Sequence, residues 1–240
     1  MFTRILVSGL FAGAIAGIVA SILQLYFVQP ILLHAELYEA GALVHLAQAG
    51  SANMIAELRG FDPARDLLTI GFTLVIYASY GLLINCAIAL RHIRGHLALP
   101  HQGILWGLAG FFVLQLMPAL GMPPQVPGAA TLAIEPRQFW WGLTVICSAA
   151  GLWLFAFAPF KFHASPPLNA KLNKAVGVLL ILIPHAVGAP MADMFYGSAP
   201  AEIGSFFSSA ALGVSFIGWA VLGMGCVYFW NLEADIKNEK

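Results

Sequence analysis

The residue best placed to do chemistry is His185, in the run Pro184-His185-Ala186-Val187-Gly188-Ala189-Pro190. A proline inside a helix removes one backbone donor and leaves a carbonyl unpaired one turn earlier. A neutral imidazole beside such a carbonyl, with Gly188 permitting close approach, has the donors to coordinate a divalent cation. A second group lies far upstream, in His34-Ala35-Glu36-Leu37-Tyr38-Glu39. At helical spacing Glu36 and Glu39 share one face, while His34, Tyr38 and His45 lie roughly opposite. His34 and His45 stand about 16 Å apart along a helix axis, too far to share one ion. Imidazole with carboxylate suits cobalt, nickel or zinc; the same residues also read as a solvated acidic face. The candidate metal ligands are thus His185, His34, Glu36 and Glu39. Two sets compete with them. Met117, Met122, Met191 and Met194 gather near helix ends, and thioethers with histidine favour copper(I), although methionine is also ordinary packing. His92, His96 and His101 accompany Arg91 and Arg94, whose charge opposes metal binding.

No enzymatic constellation accompanies these residues. GxSxG, HExxH, Walker A and Gly-rich dinucleotide patterns are absent from the sequence, and no paired acids sit within an apolar run. Neither catalysis nor a bound cofactor is expected, and any transport would not be driven by an ATPase in this chain.

The elements that hold these residues follow from composition. Sixty per cent of the 240 residues are hydrophobic and 9% charged, with a mean hydropathy of +0.84, against about 25% charged residues in soluble domains. Lipid is the solvent that suits such a chain, and in lipid only helices or closed barrels satisfy their own backbone. The apolar runs are continuous over about twenty residues, the length of a spanning helix, rather than alternating as barrel strands do. The expectation is an all-α polytopic membrane protein, one integral domain over 1–240. Zero net charge argues against nucleic acid as a partner. Cys86, Cys147 and Cys226 lie in apolar runs without a CxxC neighbour and read as small buried apolar residues. The first apolar run is longer than a signal-peptide core and reads as a retained helix.

Six helices are predicted, at about 5–28, 67–90, 102–122, 138–160, 174–190 and 207–230. The fifth, short and interrupted by Pro184, is expected to kink or be re-entrant. Basic residues set the orientation. With the N-terminus inside, Arg4, Arg91, Arg94, Lys161, Lys171, Lys174, Lys237 and Lys240 are cytoplasmic, and Arg59, Arg65 and Arg137 are outside. Eight against three places both termini in the cytoplasm. The outer segment 29–66 would carry an amphipathic helix over 31–49, lying near the membrane surface with most of the outer acids, among them Asp66. Trp140 and Trp141 fit an aromatic belt. The three outward-running helices each hold a polar residue in their outer third, Gln24, Gln115 and His185, with proline nearby, a weak threefold pattern.

Phe27-Val28-Gln29-Pro30 with Ala35-Glu36-Leu37-Tyr38-Glu39, and the Pro184–Pro190 run, resemble the CbtA family of proposed cobalt transporter subunits, and the likeness extends over the whole chain. The resemblance implies a bacterial inner-membrane importer of cobalt(II) tied to cobalamin synthesis. It also implies a partner, CbtB, a single-span protein with a histidine-rich tail. Members of the family are described with five spans, one fewer than counted from the residues here, and Gly60–Asp66 departs from the more acidic, Gly-containing stretch of the family. The alternatives that stay open are a scaffold that only holds such a partner, a carrier of nickel, zinc or copper, and a homo-oligomer in the bilayer.

Overall fold

The computed structural model describes residues 1–43, 62–129, 133–157, 168–191 and 197–238. Among them there is no strand, and six long helices account for nearly everything. These are α1 (Phe2–Glu39), α2 (Pro63–Ile93), α3 (Pro100–Gly121), α4 (Ile134–Phe157), α5 (Leu168–Val187) and α6 (Ala201–Asn238). Among the described residues α1, α2, α3, α4 and α6 are long and apolar enough to cross a membrane. The lipid-facing character is visible on α1 and α2, where Phe11, Ile15, Ile18, Phe72, Val75 and Leu83 are all exposed.

The chain divides into two compact units. The first holds residues 1–111, 125–129 and 197–240; the second holds 112–124 and 130–196. The helix α3 contributes its first half to one and its second half to the other.

In the first unit α1 buries a face made only of small residues: Ser8, Gly9, Ala12, Gly13, Ala16, Gly17, Ala20 and Ser21. Lipid offers no hydrophobic drive for helix pairing, so helices associate where small residues let backbones touch. A side chain at Gly17 would lie 2.9 Å from the Cα of Leu74, and one at Gly13 would strike the backbone of Ala78. The same device joins α3 to α6, where Gly107 and Gly223 abut and a side chain at Gly103 would lie 2.8 Å from the Cα of Met224. Tyr80 stacks on Trp219 with centroids 4.5 Å apart, and Trp219 is fully buried.

Both chain ends gather at one end of this unit. Arg4 Nε donates to the carbonyl of Trp230 at 2.7 Å and its guanidinium lies 4.1 Å over the Trp230 ring. His92 meets the same indole, and Asn231 Nδ2 donates to the carbonyl of Ala98 at 3.0 Å. At the opposite end Gly128, at positive φ, accepts from Ser198 N at 3.1 Å and lies against Glu39. The excursion from Gly128 to Ser198 therefore leaves and re-enters the unit at one place. Within the second unit α4 and α5 run antiparallel, with Trp140 beside Pro184 and Gly151 against Gly177. Within that unit α5 thus undoes the travel of α4.

Three expectations are corrected. Pro30 does not end the first helix; a π-helical turn over Gln24–Val28 precedes it and the helix runs on to Glu39. The separate surface helix expected over 31–49 is instead, as far as Glu39, the continuation of α1; residues 40–43 form a turn, and 44–49 lie outside the described residues. At 38 residues the rod is about 57 Å long, so its last turns project well past the hydrocarbon. Trp140 is likewise not in an aromatic belt but packed between helices, 4% exposed, whereas Trp141 is exposed.

Candidate metal site

The environment of His185 is built by the end of α5. Pro184 is fully buried inside the helix, which ends at Val187 with Gly188 at φ 92°. The carbonyl of Pro184 receives Gly188 N at 3.1 Å and the indole Nε1 of Trp140 at 3.3 Å. The Trp140 ring stands edge-on to the His185 imidazole, with centroids 5.7 Å apart at 76°. A side chain at Gly121 would collide with Trp140, so that glycine is what admits the indole. Against this wall His185 Nε2 is buried and has no hydrogen-bond partner among the described residues. A lone pair or N–H held without a partner in an apolar setting costs free energy unless something binds it.

His34, Glu36 and Glu39 lie on the projecting end of α1. His34 is half-buried, its ring 5.6 Å from that of Tyr38, while Glu36 and Glu39 are exposed. His45, Glu57 and Met194 lie outside the described residues. Among the described residues no group of three or more His, Cys, Asp or Glu comes within reach of one ion. The four sequence candidates are therefore not one preformed cage: three stand on α1 in the first unit and His185 belongs to the second.

The first unit contains a polar arrangement that sequence reasoning passed over. The helix α2 starts at Pro63, with Asp62 as N-cap accepting from Ala64 N and Arg65 N. That puts Asp66 in the first helical turn, 6% exposed, and not in an outer loop. Its Oδ1 receives Gln29 Nε2 at 2.8 Å and Arg65 Nε at 3.0 Å. Two turns on, Thr73 Oγ1 lies 3.5 Å from Gln24 Oε1. The π-turn is what makes this possible. In a regular α-helix Gln24 and Gln29 would point about 140° apart. The π-turn closes with Gln29 N on the Gln24 carbonyl, an i to i+5 bond that stacks the fifth residue over the first. Both glutamines then face α2. The Asp62-Pro63 pair, a capping residue followed by proline at the first helical position, was the available signal for this helix start.

A second π-turn, Phe112–Leu116, contains Gln115. The outer-third pattern of Gln24, Gln115 and His185 thus has a backbone counterpart in irregular helix at each position. Of the cysteines only Cys226 is fully buried as expected; Cys147 is half-buried and Cys86 is exposed. Met117 is buried and Met191 exposed.

No curated protein and no solved structure matches the chain. A family model described as "Probable cobalt transporter subunit (CbtA)" matches residues 2–231. With membrane-length apolar helices and an unpartnered histidine beside a proline-broken helix end, that match over nearly the whole length means that this chain belongs to the CbtA family of probable cobalt transporter subunits.

Proposed function

We propose that the chain is the membrane-embedded subunit of a bacterial inner-membrane importer of cobalt(II), serving cobalamin synthesis and working with a small single-span CbtB-like partner. Glu36, Glu39 and His34 gather the cation at the outer surface, and His185 binds it at membrane depth. The observation that carries this reading is His185 Nε2, buried beside Pro184 and without a partner among the described residues. Neutral imidazole is a good ligand for first-row divalent ions, and polar groups at membrane depth mark pathways more often than packing. The eight-to-three bias of basic residues supports a cytoplasmic location for the end where Arg4 and Trp230 meet, and so for both termini.

The test is His185→Gln against His185→Ala. Glutamine keeps a hydrogen bond but is a poor ligand for cobalt(II). Both variants should lose cobalt(II) uptake at wild-type membrane abundance. Near-normal uptake by the glutamine variant would remove His185 from the pathway.

One observation favours the scaffold reading: no three candidate ligands converge among the described residues. Reconstituting the chain in liposomes, with and without the partner, separates the two. Cobalt(II) entry with the chain alone excludes a pure scaffold.

A further inference from the structure

The turn from α2 into α3 combines two chemistries on one surface. It reads Leu90-Arg91-His92-Ile93-Arg94-Gly95-His96-Leu97-Ala98-Leu99, basic residues interleaved with apolar ones and no acid among them. Both kinds are exposed. Arg94 and His96 lie open beside Ile93 and Leu97, which are each 69% exposed, and Leu90 and Leu99 are exposed as well. A connection that runs through water is polar. One that keeps leucines exposed past the end of its helix, among cationic side chains, has the composition of a lipid–water boundary. At this end of the unit Glu233 and Asp235 follow Trp230 on α6.

The backbone fixes this arrangement. The helix α2 ends in a Schellman motif: Gly95, at φ 81°, donates its N–H to the His92 carbonyl at 2.9 Å, and His96 N donates to the Arg91 carbonyl at 3.2 Å. The motif commonly brings an apolar pair together across the turn. Here those two positions are Arg91 and His96, two basic residues in place of a stabilising apolar contact. The Arg91 guanidinium lies 5.8 Å from the centroid of the Trp106 ring on α3, and the Ala98 carbonyl is held by Asn231 of α6. The turn is thus tied to both neighbouring helices. The helix α3 follows at once, with Leu99 as its N-cap and no side-chain cap, so the positive end of its dipole adds to the field here. The dipole at the end of α2 accounts for arginines there. It does not account for the exposed Ile93 and Leu97 between them.

We propose that the α2–α3 turn is a binding site for an anionic phospholipid, with Arg91, Arg94 and His96 holding the headgroup phosphate and Ile93 and Leu97 lying against the acyl chains. Guanidinium edges match phosphate oxygens in geometry and charge. Each guanidinium has five N–H donors, so an arginine already engaged with protein still serves a phosphate. Basic groups at the rim of a helix bundle are where anionic headgroups are recognised. A soluble anion would satisfy the charges but leave Ile93 and Leu97 in water, and a neutral lipid would cover them but leave the charges uncompensated. One molecule that carries both a phosphate charge and hydrocarbon chains matches the whole surface. The site asks nothing of cobalt(II), so it stands or falls apart from the transporter reading.

The test titrates lipid into the full chain, purified in a neutral detergent, and reads binding and unfolding temperature. Dioleoylphosphatidylglycerol should bind and raise the unfolding temperature. Dioleoylphosphatidylcholine, with the same chains and no net charge, should do so far less, and inorganic phosphate should not. Arg94→Gln with His96→Gln changes two exposed side chains, so the lipid-free unfolding temperature should match wild type. Its affinity for phosphatidylglycerol should fall roughly fivefold or more, in line with the worth of a basic residue at an anionic surface. Ile93→Ser with Leu97→Ser should also weaken phosphatidylglycerol binding, although every charge remains. Arg137→Gln, a basic residue on α4 in the second unit, should bind as wild type does. Equal binding of the two lipids by wild type overturns the site, as does unchanged phosphatidylglycerol affinity in the Arg94/His96 variant. Inorganic phosphate that binds as well as the lipid overturns the lipid assignment. Should the Arg94/His96 variant not be recovered folded, the comparison of the two lipids on wild type decides.

Discussion

Trp140 holds Pro184 by the one group that proline still offers. Its indole Nε1 donates to the Pro184 carbonyl at 3.3 Å, and the same ring closes off one side of His185. The bond crosses from α4 to α5, so it fixes the end of the short helix and the orientation of the histidine together. Trp140→Phe keeps an aromatic wall and removes the donor. It should cost about 0.6–2 kcal/mol, the range for an interhelical hydrogen bond in a membrane, and reduce cobalt(II) uptake while leaving some. Thermal unfolding of the purified variant beside an uptake assay checks both parts. A variant with full stability would show that the contact is incidental.

Glu36 and Glu39 are exposed on the projecting end of α1. Replacing both with glutamine barely alters volume and leaves the Cβ and Cγ of Glu39 in place against Gly128, so folding should be unaffected. Uptake should fall most at low cobalt(II), where attraction to the mouth limits the rate, and recover when the metal is abundant. Equal uptake at every concentration would return them to an ordinary solvated face.

Gly13 lies where α1 and α2 are in backbone contact. Gly13→Leu must force the two helices apart, since the obstacle is main chain and cannot rotate away. The cost should reach or exceed the upper end of the ~1–3 kcal/mol typical of overpacking. Little folded protein should be recovered from membranes. Gly142, with open space around it, is the control: Gly142→Ala should be produced normally.

Arg4 and Trp230 place the two chain ends together. Reporter fusions after Lys240 should therefore report the same compartment as fusions before Met1, and that compartment should be the cytoplasm. A cysteine at Glu39, at the opposite end, should react with a membrane-impermeant thiol reagent added from outside. Opposite compartments for the two termini would contradict the fold itself, whereas a shared periplasmic location would contradict only the orientation.

The fold class was plain in the sequence because hydropathy alone decides it: runs such as 69–90 admit no other solvent. His185 was legible for the same reason, a polar residue inside an apolar run. What escaped was anything set by register between helices. Gln29, read next to Pro30, looked like the end of a helix, and Asp66 looked like a loop acid. Neither residue predicts that a π-turn will carry one onto the other across 37 positions. Trp140 was misplaced for a related reason. Its depth is set by Gly121, which leaves room for the ring, and a sequence gives no distance between those two. The small-residue face of α1 could have been read from its four-residue spacing, but not the identity of its partner.

The π-turn at Gln24–Val28 has the character of a single inserted residue. Were that stretch to relax into regular α-helix with every residue kept, α1 would remain apolar, long and packed through the same glycines, since all of them precede the turn. Everything after it would rotate by about 100°: Gln29 would leave Asp66, and His34, Glu36 and Glu39 would turn with it. Removing one position as well would bring Gln29 back to within about 40° of Gln24, on the face toward α2. The winding of one turn thus sets both how the carboxylate is held within the bundle and which way the outer acids face, and a change that hydropathy does not register uncouples this protein's surface from its interior.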